Sequence, residues 1–166
     1  MVAQRLAPTA ARTVTTPIER CADGGVVVDG TIVLSAWRKP FTVESTAFLA
    51  EHVARAARSA GPLVSFAVYR VPSMREPPGA DVREKMVELG NAYPFHHVVN
   101  VLDCSGFANA MSRLFLAGVI ALMRRRDIVS VADSVENGLA ISQRAGVDLT
   151  QWRPALDALL RDTFEP

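Results

Sequence analysis

Apolar and polar positions change period several times along the chain, and each change marks an element. Val26-Val27-Val28 and Thr31 to Trp37 are β-branched runs around Asp29-Gly30, a strong short-range signal for a two-residue hairpin turn. After Pro40-Phe41 the period becomes helical. Thr42 suits an N-cap, and Val43, Ala47, Ala50, Ala54 and Ala57 share one face; Glu51 and Arg55 form an i, i+4 pair on the other side, and Gly61-Pro62 ends the segment. This predicts a first helix over residues 43–59, with His52 solvated on its polar side.

Leu63 to Tyr69 is aromatic and β-branched between Gly-Pro and Val-Pro boundaries, and reads as a strand. A loop with three prolines and a glycine follows, Pro72 to Gly79, and then Val82, Met86 and Leu89 repeat at helical spacing. Val98 to Leu102 is a further strand region, and Phe107 to Arg126 is the longest helical candidate. That helix is apolar around most of its circumference, so it is either sandwiched in the core or offers an apolar face to a partner. Ile128 to Ala132 predicts another strand, Ser134 caps another helix, and Thr150 to Phe164 forms a closing amphipathic helix around Trp152, Leu156, Leu159, Leu160 and Phe164. A hairpin followed by helix and strand in alternation predicts an α/β fold with a mostly parallel or mixed sheet covered by helices. The alternation leaves open whether helices cover one face or both.

Length and composition narrow this picture. At 166 residues, 49% hydrophobic and 21% charged, the chain suits one domain with its own core. Residues 1–22, rich in Ala, Thr, Arg and Pro without a period, are expected to form a flexible or loosely docked arm, and residues 23–166 the domain. Eighteen basic against seventeen acidic residues give no field for nucleic acid or an anionic membrane. The longest apolar run, Leu114 to Met123, is about half of what a bilayer-spanning helix requires, so no transmembrane segment is expected. Cys21 and Cys104 lack C-x-x-C spacing and no apolar leader precedes them, which favours a cytoplasmic location.

The stretch Leu102-Asp103-Cys104-Ser105-Gly106-Phe107, continued through Ser112 to Arg126, resembles the centre of a STAS domain, the family that includes the anti-sigma-factor antagonists. Its members show a strand ending in L-D-hydrophobic-S-G-V, a short loop, a D-S-S-G motif and a helix of the form L-x-x-L-L-x-L-x-R-R. A register without gaps puts Leu102-Asp103 on the strand end, Ser105-Gly106 on S-G, Ser112 on the phosphorylated serine and Leu116 to Arg125 on the helix. In it Met111-Ser112-Arg113-Leu114 keeps the serine of D-S-S-G but not the acid or glycine. A second register sets Asp103-Cys104-Ser105-Gly106 on D-S-S-G, with Cys104 at the phosphoacceptor, and removes the loop between strand and helix. Ser134-Val135-Glu136 and Arg144 to Asp148 resemble the family's S-P-E-V and T-G-L-D, so the resemblance spans roughly residues 24–150.

The resemblance implies a non-enzymatic regulatory or scaffold protein that docks on a kinase-like or signalling protein, or on a second copy of itself. It implies Ser112 as the phosphoacceptor and Asp103, Cys104, Ser105, Gly106 and Arg113 as the docking patch. A phosphate near a helix N-terminus meets unpaired N–H groups there, and Arg113 could pair with it. The simpler role for Ser112 is that of a small polar residue in the first turn of a buried helix.

Catalysis is the rival reading. Cys104-Ser105-Gly106 stands at a strand-to-helix turn, where hydrolases expose a nucleophile, and His96 and His97 precede it. A small hydrolase or thiol-dependent enzyme using Cys104 or Ser105 is therefore the alternative. His97 cannot pair with Cys104 from the same strand, because seven extended residues span about 23 Å. The histidines and cysteines lack metal-ligand spacing, and Gly24-Gly25 and Asp29-Gly30 precede strand rather than helix, so neither a metal nor another cofactor is expected. Arg124-Arg125-Arg126 is expected to cap the negative end of the long helix.

Overall fold

The structure, a computed structural model, describes residues 16–165. The expected arm therefore lies outside the described residues up to position 15. Its last part is ordered: Glu19–Arg20 is a two-residue strand, β1, paired antiparallel with the first strand of the hairpin. Glu19 Oε1 accepts from Arg55 at 2.5 Å, and Arg20 pairs with Asp162. These partners lie far along the chain, which is why no local period announced them.

Gly30, at φ +58, turns β2 (Gly24–Asp29) into β3 (Ile32–Trp37), and the pair is antiparallel as the Asp-Gly signal predicts. Then α1 (Val43–Ala56) leads to β4 (Leu63–Tyr69), α2 (Ala80–Ala92) to β5 (Phe95–Leu102), and α3 (Gly106–Leu122) to β6 (Val129–Ala132). The sheet runs β1-β2-β3-β4-β5-β6, with β3 to β6 parallel. Three crossovers that step the same way across a sheet, each right-handed, place their helices on one face. Accordingly α1, α2 and α3 pack with Val26, Val33, Ala67, Tyr69 and Leu102. The chain then returns beneath the sheet, where α4 (Val135–Arg144) and α5 (Arg153–Phe164) pack with Val27, Leu34, Phe66, Val68, Val99 and Val101. Both faces are covered, and the fold is α/β with a mixed sheet. No helix among the described residues is long and apolar enough to cross a membrane.

The strands follow from this layering. A central parallel strand buried on both faces reads as an unbroken apolar run, and every residue of β4 is buried. Thr42 caps α1 through a capping box with Ser45.

Three local expectations change. Helix α1 buries Thr46, Leu49, Val53 and Ala56, while Ala47 is exposed, because a leucine and a valine bury more apolar area than the alanines of the predicted face. That rotation buries His52, whose Nδ1 lies 2.7 Å from the Phe48 carbonyl oxygen; its Nε2 is 3.1 Å from Glu19 Oε2 but out of line for a hydrogen bond. Arg55 pairs with Glu19 rather than with Glu51. Finally, α3 stops at Leu122, so Arg124-Arg125-Arg126 lies beyond its last turn. There the Arg124 N–H donates to Asn91 Oδ1 and Arg125 donates to the Phe95 carbonyl oxygen.

Candidate functional site

The residues singled out from the sequence meet where β5 ends and α3 begins. Only Asp103, Cys104 and Ser105 separate the two elements, and the residues that the ungapped register sets between S-G and D-S-S-G are helical. Ser105 is the N-cap of α3, but its side chain makes no capping bond. Its exposed hydroxyl stands beside helix N–H groups that have no intrahelical partner. Gly106 follows at φ +61, a backbone conformation in which a side chain would be strained.

A chain of polar contacts fixes this junction. Arg70, just after β4, donates from Nε to Asp103 Oδ2 at 2.6 Å, and its guanidinium carbon lies 4.8 Å from the centre of the Phe164 ring. Asn109 Nδ2 donates to the Cys104 carbonyl oxygen at 2.9 Å, and Arg113 Nε donates to Asn109 Oδ1 at 2.8 Å. Arg113 is therefore engaged in holding the first turns of α3 onto the loop.

Ser112 lies in the second turn of α3, not the first, and is 5% exposed. It lines a narrow gap with Tyr69, Leu102, Phe115 and Leu116, and its hydroxyl oxygen has no hydrogen-bond partner among the described residues. The exposure expected of a phosphoacceptor is not met in this fold, since the oxygen is buried in a gap whose lining is mostly apolar. The hydroxyl of this region that solvent reaches is that of Ser105.

Cys104 is half-buried. Burial pushes its thiol pKa up; the nearby Ser112 hydroxyl, which lacks hydrogen-bond geometry toward it, offsets part of the shift, and the Asp103 charge adds to it. A nucleophilic cysteine requires the opposite environment. His96 is exposed and His97 buried, as expected of neighbours on a strand. Burial and the nearby His96 push the His97 pKa down.

The most distinctive surface lies farther along α3, beyond the predicted patch. Phe107, Leu114 and Leu122 are each about 60% exposed and are the large apolar side chains that stand out to solvent among the described residues. At 100° per residue their spacings of 7 and 8 keep them within roughly 80° of arc. Ala110, Ala117 and Ala121 are also exposed, and Arg113 is the single charge on the helix. The excess of apolar residues in this segment signalled the stripe; its orientation depends on how α3 packs against α2 and the sheet. No protein-family model, curated protein or solved structure matches the chain.

Proposed function

We propose that the chain is a STAS-like regulatory or scaffold module that acts without catalysis by docking on a signalling protein through α3 and the loop before it. The observation that carries this reading is the stripe of Phe107, Leu114 and Leu122 on one nearly uncharged helix. A small domain keeps such a surface out of water when a partner covers it. The loop supports the same reading. Ser105 and Gly106 are exposed at the tip, while Asp103 and Arg113 brace them from beneath. The rival hydrolase or thiol chemistry is disfavoured by a cysteine whose environment opposes ionisation and by an extended strand that keeps His96 and His97 distant from it.

Leu114 is a cleaner probe than Arg113, because Leu114 is exposed whereas Arg113 holds the loop in place. A photo-crosslinking residue at position 114 in the full chain, compared with one at exposed Arg144 on α4, reads the docking face directly in cell extract. Crosslinks confined to position 114, and weakened about tenfold or more by Phe107→Ser on a scale typical of interface anchors, support the reading. Crosslinking only to the chain itself would make the partner a second copy. Equal labelling at both positions, or none at 114, overturns it.

A further inference from the structure

The interior between the sheet and α1 to α3 holds a cavity of about 70 Å³, larger than a single water needs and smaller than the engineered cavities that admit benzene without rearrangement. Its walls come from α1, β4, α2, β5, α3 and β6. Most of the lining is aliphatic or aromatic. No charged side chain borders it, and half-exposed Met86, Gly90, Val98 and Ile120 mark its mouth.

Three polar side chains break this apolar lining: Ser65, Tyr69 and Asn100, each more than nine-tenths buried. The Tyr69 hydroxyl donates to Asn100 Oδ1 at 3.1 Å, a hydrogen bond within this set of three. That bond uses the tyrosine's proton and occupies the amide oxygen. The Asn100 NH₂ group and the Ser65 hydroxyl remain to donate, and lone pairs on Ser65 and Tyr69 remain to accept. Water can satisfy these groups while the cavity holds no ligand, and a ligand head that displaces it must offer the same hydrogen bonds; three such side chains on two adjacent strands form a recognition floor.

We infer that this cavity is a binding site for a small neutral molecule with an apolar, ring-sized body and a single hydroxyl, carbonyl or amide head seated on Ser65, Tyr69 and Asn100. The head is neutral because the lining offers no counter-charge, and a desolvated carboxylate or ammonium would be unpaired there. The body is small because the cavity is; binding of a six-membered ring draws on movement of Met86 and Met123, flexible side chains on the cavity wall.

Three probes that differ only at the head test this on the full chain by titration calorimetry and amide-resolved NMR: benzene, phenol and benzoate. Phenol is expected to bind saturably, at least tenfold more tightly than benzene, with shifts centred on residues 65–69 and 98–100; benzoate is expected not to bind. In Ser65→Ala the preference for phenol should fall several-fold. Ala67→Leu, which fills the cavity, and Ile120→Trp, at its half-exposed mouth, should each abolish binding while keeping the wild-type circular dichroism spectrum. The second covers the case in which the first fails to fold. The inference is overturned if phenol does not saturate, if benzene and phenol bind equally, or if a folded blocking variant still binds phenol as the wild type does.

Discussion

The two faces of the sheet differ in how closely helices meet them. On the α4/α5 face the layer is tight: Phe66 and Leu159 are fully buried, and Gly138 of α4 lies so near β4 and β5 that an added Cβ would come within 2.8 Å of Val101 Cγ2 and 2.9 Å of Phe66 Cζ. On the α1 to α3 face the same strands present Ser65, Tyr69 and Asn100 to a cavity, and the outermost helix leaves Phe107, Leu114 and Leu122 in water. The first face has the close packing that stabilises a fold. The second has the hollow and the exposed apolar side chains that ligand or partner sites need. Close packing and open space are thus segregated to opposite sides of one sheet.

Leucine truncation should break the molecule unequally across this divide. Leu159, 0% exposed and packed beneath the hairpin, would leave a closed void, so Leu159→Ala is expected to cost about 4–5 kcal/mol, near the top of the range for such changes. Leu116 already borders the cavity and the neighbouring gap. Leu116→Ala removes fewer contacts and enlarges a space that has polar lining, so about 2–3 kcal/mol is expected. Urea midpoints at unchanged slope measure both, and equal losses would remove the distinction between the faces.

What the sequence disclosed follows the same divide. Strand β4 was legible at both ends, since Gly-Pro and Val-Pro bound a run that two covered faces make mostly apolar. The hairpin turn and the Thr42 and Ser134 caps were legible because their physics is local. The buried face of α1 was not. Counting alanines equally with Leu49 and Val53 ignored how burial scales with apolar area. Ser112 and Ser105 could not be told apart as buried and exposed, because the α3 segment is apolar around most of its circumference and its packing against α2 and the sheet decides which side is covered. The cavity was illegible because its walls come from six elements, and Ser65 or Asn100 alone is simply a polar residue in a strand.

Two helix glycines sharpen the comparison at a smaller scale. Gly138→Ala would drive a methyl group into Phe66 and Val101, both on rigid strands, and overpacking of this kind costs about 1–3 kcal/mol despite alanine's better helix propensity. Gly90→Ala on α2 meets the Met123 methyl at 2.6 Å. That is the far end of a flexible side chain beside an open cavity, so it moves aside, and the helix-propensity gain of up to about 1 kcal/mol offsets the displacement. Thermal midpoints should fall for Gly138→Ala and stay level or rise for Gly90→Ala.

The smallest expected effect is one of pH, and it arises on β5, the strand that joins the two faces. His97 is buried with Nε2 unpartnered, and burial holds its pKa below that of a free histidine. In the unfolded chain a histidine takes up its proton near pH 6.5. The folded chain resists protonation until a lower pH, so between these points the unfolded state binds more protons and stability falls as the solution is acidified. Above about pH 7 the histidine is neutral in both states and contributes no slope. The carboxylates with lowered pKa, Glu19 beside Arg55 and Asp162 beside Arg20, lose their contribution as the pH falls below the ordinary carboxylate range. His97→Leu removes the titrating group and the orphan nitrogen together. It should leave stability at pH 7.5 within about 1 kcal/mol of wild type, because removing an unsatisfied buried polar group offsets the change of shape. It should also flatten the decline between pH 7 and 5. A variant that keeps the wild-type decline would exclude His97 as its source.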